Sequence, residues 1–282
     1  MENQHNKKID SPLLSLRSEI DKIDDQLITL LGQRMEVVHQ VGELKKNNNE
    51  KFFIRSNREA DMIKDLVKKS DPIFPNSAII NIWRKIITSA NMYEQPLNIA
   101  IHNPNNSPDY SYLIREYYNI EVPISHHDSV TNIVLAMERG EAQIGIFALP
   151  KSNQRDITNT NENWWINLAN NKQGIKIFAK IPFINLGTKS KTLNEIDLVA
   201  VGIKDAEESS EDNSLIYLEV SHQVSERQVI ATLSENNLQA KILESVQPIQ
   251  VEDMVFYLVE LEGFYTEKDQ DLINVSNAKI RP

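Results

Sequence analysis

The feature that most constrains this chain lies near its start. From Leu13 to about Lys46, apolar residues recur at helical spacing at Leu16, Ile20, Ile23, Leu27, Leu31, Val38 and Val41, and no proline or pair of glycines interrupts the run before Gly42. The periodicity predicts one helix of roughly 50 Å at 1.5 Å per residue, far longer than a small helical domain is wide. A helix of that length with an apolar stripe cannot bury the stripe against its own short neighbours, so a partner chain is expected and a homodimer follows.

Two shorter helices come next. Asn57 to Lys69 places Met62, Ile63, Leu66 and Val67 on one side. After a turn with Pro72 and Pro75, Ser77 to about Tyr93 carries Ile79, Ile80, Trp83, Ile86, Ile87 and Ala90. Pro96 marks a change of period: Leu97 to Ile101 is short and apolar in the manner of a strand, and strand-like and helix-like segments then alternate. Strands are expected at Gln143–Leu149, Ile175–Ile181 and Asp197–Ile203, with a helix at Val130–Arg139. The acidic, serine-containing stretch Asp205–Asn213 reads as a linker. Beyond it, strand (Leu215–Val220), helix (Glu226–Glu235), strand (Gln239–Ser245) and strand (Met254–Leu261) predict a small α+β module. The fold class is therefore multidomain, all-α in 11–95, α/β in 96–206 and α+β in 213–282.

Composition narrows the partners. With 40% hydrophobic and 25% charged residues, the 282-residue chain can build a core. A net charge of −10 argues against nonspecific binding to nucleic acid or an anionic membrane, so an anionic ligand must meet a local positive cluster. The absence of cysteine removes disulfides, thiolate metal sites and a cysteine nucleophile. A polar start without an apolar signal core, and no run long enough for a membrane span, give a cytoplasmic expectation.

Charge then sits on the wrong faces. On a wheel of about 100° per residue, Arg34 falls in the middle of the stripe made by Leu16, Ile20, Ile23, Leu27, Val38 and Val41, and Lys45 falls within about 20° of Arg34. Arg17 lies at the stripe's edge. Arg55, Arg58 and Glu59 open the second helix just before its apolar face, and Glu94 follows Trp83, Ile87 and Ala90 at helical spacing. Singly, such cations read as snorkelling side chains or surface ion pairs. Together they form a surplus of inward cations, which in a dry pocket requires a carboxylate from protein or ligand. A small dianion fits.

These residues also carry a resemblance. The run LLSLRSEIDKIDDQLITLLGQRMEVVHQVGELK, then FFIRSNREADMI, then IWRKIITSANMYEQPL, over about Ser11 to Gln95, resembles the all-helical chorismate mutase that forms the N-terminal part of bacterial bifunctional chorismate mutase/prephenate dehydratases. The resemblance implies conversion of chorismate to prephenate in aromatic amino acid biosynthesis, with no metal or cofactor, in a dimer whose long helices intertwine. It makes Arg17 the arginine lent to the partner's site and Arg34 the ligand contact in its own chain. Lys45 would face the ether oxygen, Arg58 and Glu59 would hold a carboxylate and the ring hydroxyl, and Glu94 would take a position that relatives fill with Gln or Glu. Arg55 and Ala90 would border the substrate.

The remainder resembles the dehydratase and ACT portions of the same proteins, with departures. HNPNNS stands in place of a glycine-rich turn, FALPKSN lacks the acid of a VPIEN-like motif, and EIDLVAVGIK sets Ile196, Asp197 and Leu198 where Thr, Arg and Phe are expected. Without that hydroxyl, dehydratase activity is expected to be absent. Glu244 and Ser245 match the start of an ESRP-like effector motif, which then continues Val246-Gln247-Pro248. His126 and His127 are adjacent and do not face one site, so no metal is expected, and Trp164 and Trp165 read as core residues. The readings in competition are a mutase with degenerate C-terminal domains, a bifunctional enzyme in phenylalanine biosynthesis, and a noncatalytic sensor of aromatic metabolites.

Overall fold

The structure, a computed structural model, describes residues 6–48, 50, 52–104, 109–150, 163–182, 196–247, 251 and 253–277. It divides into two compact units, Met1–Phe53 with Tyr93–Gln95, and Ile54–Met92 with Pro96–Pro282.

The first unit is dominated by α1 (Asn6–Asn47). The helix begins earlier than the periodicity predicts and passes through Pro12, which forfeits one backbone hydrogen bond. It runs through Gly42 and ends at Asn47, one residue past the expected Lys46. Lys45 and Lys46 occupy its last turn, where cations oppose the negative end of the helix dipole. Its apolar stripe is uncovered within the chain: Leu16, Ile20, Ile23 and Leu27 are 58, 56, 55 and 53% exposed.

In the second unit, α2 (Ser56–Lys69) and α3 (Asn76–Glu94, up to Met92 in this unit) bury Ile63, Ile80 and Ile87 against one another, with Met62, Val67 and Trp83 beside them. The chain then enters an α/β layer: β1 (Ile99–His102), α4 (Ser111–Tyr117), β2 (Ile124–His127), α5 (Val130–Glu138), β3 (Ile144–Ala148), α6 (Trp164–Ala169), β4 (Ile175–Ile181) and β5 (Leu198–Ile203). These strands form a mixed sheet in the order β2-β1-β3-β5-β4, with β1 parallel to β2 and β3, and β5 antiparallel to β3 and β4. Strands covered on both faces read as continuous apolar runs, and Ile99, Ile101, Ile144 and Ile146 are fully buried. Ser129 caps α5 by accepting from the Asn132 amide, which starts the helix where the apolar period begins.

The last layer is β6 (Asn213–Ser221), α7 (Glu226–Glu235), β7 (Ala240–Val246), β8 (Met254–Glu262) and α8 (Gln270–Asn277). Its antiparallel sheet has the order β6-β8-β7. Ser225 and Gln228 form a reciprocal capping box that defines the start of α7. Leu218 and Val220 pack with Val229 and Leu233 of α7, while Leu243 and Leu258 share a core with Trp164, Trp165 and Leu168 of α6. The tryptophans are therefore core, as expected, and join two sheets.

The acidic stretch after Ile203 has no regular structure, but it does not hang free. The Arg55 and Glu207 side chains pair, Asn57 donates to the Glu208 carbonyl (3.0 Å), the Ser210 hydroxyl donates to Asp61 (2.5 Å), and Lys64 pairs with Glu211 (3.0 Å). It is strapped along α2.

Candidate functional site

Lys45 is the centre of the first unit's polar cluster. Three turns of α1 past Arg34, its ammonium donates to Glu94 Oε2 (2.7 Å) and to the Phe53 carbonyl (3.0 Å), and lies 5.2 Å from the Phe53 ring centroid. The pair is enclosed, with side chains only 16% and 6% exposed, so its charges attract with little screening. Gly42 lies against it. A Cβ there would meet Glu94 Cγ at 3.3 Å, so the glycine lets the end of α3 approach α1 closely enough for Glu94 to reach Lys45 one turn further on. The glycine lowers helix propensity by about 1 kcal/mol in exchange.

Arg34 is partly buried, and its Nη1 is enclosed with no hydrogen-bond partner among the described residues. An enclosed guanidinium nitrogen without an acceptor is unfavourable, and a ligand carboxylate would satisfy it. Arg17 projects from α1 into solvent in the single chain.

The remaining candidates belong to the second unit. Arg58, on the first turn of α2, is exposed; Glu59, its neighbour, is buried. Glu59 accepts from Arg84 Nη1 (2.9 Å) on Oε2 and from Asn91 Nδ2 (3.0 Å) on Oε1. Arg84 is 4% exposed, and its guanidinium carbon lies 4.0 Å from the Tyr117 ring centroid and 5.7 Å from that of Tyr118. Burial pushes the Tyr117 phenol up to about 12, so the ring meets the cation as a neutral π face. Ala90 is buried on α3, and Arg55 is engaged by Glu207.

Arg84 and Asn91 are absent from the sequence-based candidate set, yet they fix the orientation of Glu59. Their signal was present: with Ile80 and Ile87 they occupy one stripe of α3, at steps of four, three and four residues. Attention to apolar residues alone passes over a buried arginine in such a stripe.

In the C-terminal layer, Glu244 accepts from the Trp165 indole (2.7 Å), and Ser245 donates to Glu226 (3.2 Å). Leu198 is buried in β5, while Asp197 pairs with Lys180 (3.0 Å). Of the sequence departures noted above, Asn105 to Ser107 and Lys151 to Asn153 lie outside the described residues.

Residues 16–95 match the family described as chorismate mutase type II. The N-terminal helices carry a chorismate mutase domain. The relatives include the bifunctional chorismate mutase/prephenate dehydratase of Aquifex aeolicus (strain VF5), 22% identical over 138 residues, covering 48% of this chain and 38% of that protein. The Pseudomonas aeruginosa protein of the same description is 25% identical over 154 residues, covering 52% of this chain and 41% of that one. The chain thus spans about two fifths of the length of these relatives. Among solved structures, a prephenate dehydratase from Streptococcus mutans has a TM-score of 0.43 at 15% identity, covering 65% of this chain and 93% of that one. One from Staphylococcus aureus scores 0.42 at 10% identity, covering 66% and 97%. Similarity of that degree assigns no activity to this chain. The mutase domain includes every candidate residue from Arg17 to Glu94.

Proposed function

We propose that this chain is a chorismate mutase, converting chorismate to prephenate. The observation that carries the reading is the enclosed pairing of Glu94 with Lys45, which shares its helix with Arg34 and that residue's unpartnered, buried nitrogen, inside a segment matching the mutase family. The reaction is an intramolecular rearrangement: the enol ether C–O bond breaks as a C–C bond forms, with no group gained or lost. It needs no nucleophile, metal or cofactor. Rate comes from holding the two carboxylates in the compact reactive conformer and from a positive charge facing the ether oxygen as negative charge develops on it.

In this reading Arg34 and Arg58 bind carboxylates through bidentate contacts, Lys45 faces the ether oxygen as a point charge, and Glu59 accepts from the ring hydroxyl. Glu94 holds Lys45 in place by accepting from its ammonium. Arg55 and Ala90 border the substrate. Arg17 acts in the site of a second copy, because the uncovered stripe of α1 supports a homodimer built on that helix.

We assign residues 11–95 to the mutase, 96–206 to a dehydratase-like domain without the catalytic hydroxyl, and 213–282 to an ACT-like module whose Glu244 and Ser245 would border an effector. A cytoplasmic location agrees with the absence of cysteine. Product analysis tests the assignment. Purified protein incubated with chorismate should accumulate prephenate without phenylpyruvate. Phenylpyruvate would favour the bifunctional reading, and unchanged chorismate the sensor.

A further inference from the structure

Glu59 does not stand on the mutase helices alone. Each of its carboxylate oxygens accepts one hydrogen bond, from Arg84 and from Asn91, and each keeps a lone pair for another donor. Arg84 in turn is buried against two rings that come from outside the mutase segment: Tyr117 at the end of α4 and Tyr118 just after it. Those rings meet edge to face, 4.9 Å between centroids. The next residue of α3, Lys85, points its ammonium at the same helix end, donating to the carbonyls of Arg115 (2.9 Å), Glu116 (2.6 Å) and Tyr118 (3.3 Å). The last carbonyls of a helix lack internal partners and carry the negative end of its dipole, so a lysine satisfies both. Two consecutive cations of α3 thus grip α4, one through its aromatic rings and one through its backbone.

We propose that Arg84 is a positioning residue for Glu59 in the mutase reaction, and that Tyr117 and Tyr118 of the α/β layer hold Arg84 in place. The inference rests on the mutase reading above. A buried carboxylate without a cation turns toward water and stops offering a fixed acceptor to the substrate's hydroxyl. Arg84 prevents this, and the rings of Tyr117 and Tyr118 lie against its guanidinium. The α/β layer is then part of the mutase.

Steady-state kinetics on the full chain test this with Arg84→Gln, Arg84→Lys, Tyr117→Leu, Glu59→Gln and the double variants of Glu59→Gln with Arg84→Gln and with Tyr117→Leu. Arg84→Gln should raise KM for chorismate roughly 10- to 100-fold, with kcat changed less, as expected for a lost charge-assisted contact. Arg84→Lys should recover part of that loss, and Tyr117→Leu should raise KM several-fold. Each double variant should be no worse than Glu59→Gln alone, because the second change acts only through a carboxylate already removed. Losses that add in the doubles overturn the inference, as does a wild-type KM in Tyr117→Leu. If Arg84→Gln does not fold, as judged by circular dichroism, the Tyr117→Leu pair decides. Absence of chorismate turnover by the wild-type chain overturns the mutase reading and the inference with it, whereas turnover insensitive to Arg84 and Tyr117 overturns the inference alone.

Discussion

Helix α1 and the central strands β1 and β3 are both rich in apolar residues, but they treat them in opposite ways. Ile99, Ile101, Ile144 and Ile146 lose all contact with water inside the chain, while Ile23 and Leu27 keep more than half of their surface exposed. Burying a side chain of this size is worth roughly 1.5–3 kcal/mol relative to leaving it exposed, so a stripe of them left open along one helix is a large unspent driving force. The strands are complete within one copy. The stripe of α1 stays uncovered among the described residues, and Arg34 and Lys45 lie on the same helix.

The sharpest way to break this contrast is to charge the stripe. Ile23→Glu with Leu27→Glu should convert the proposed dimer to monomer in sedimentation equilibrium and lower mutase activity by roughly 100-fold or more, since each site would lose a partner's arginine. A dimer that survives both carboxylates would place the interface elsewhere. The matching change in the sheet is Ile146→Ala, which should cost about 2–5 kcal/mol in denaturant unfolding, because it opens a cavity in a fully packed strand. It should leave chorismate turnover of the folded protein unchanged.

A smaller effect comes from His102 at the end of β1. Burial lowers its pKa, with the nearby Asp128 charge opposing the shift only in part, and its Nε2 has no hydrogen-bond partner among the described residues. The folded protein therefore binds a proton less readily than the unfolded chain. Stability from this residue is fully present above the ordinary histidine value of about 6.5, and is lost as pH falls through that value toward the lowered one. Thermal unfolding followed across that window should show the decline in wild type and a flatter curve in His102→Phe.

Helices and strands with strong periodicity were legible from the sequence: α7 and β4 begin and end at the expected residues, and α2, α3 and β5 do so within one or two. The short elements α4, α6 and β2 were not, because segments of four to seven residues carry too little period to separate from loop. Within the candidate site, Lys45, Arg34 and Glu94 were found because a charge interrupts an apolar stripe. The role of Gly42 is not legible from propensity, which registers only its missing side chain, because that role depends on Glu94, a residue from another helix. Arg84 was missed for a related reason: its partners, Glu59 and Tyr117, are distant in sequence and share no local pattern with it.

The proposed placement of Lys45, enclosed beside Glu94, against the breaking ether bond decides the mechanism. It is tested most directly by following chorismate loss and prephenate formation side by side in wild type and Lys45→Ala at equal folded concentration. The account predicts saturable turnover in the wild type and a fall of roughly 100- to 1,000-fold in kcat in the variant, the cost of removing one preorganised charge from a transition state. Equal rates in the two proteins would contradict it.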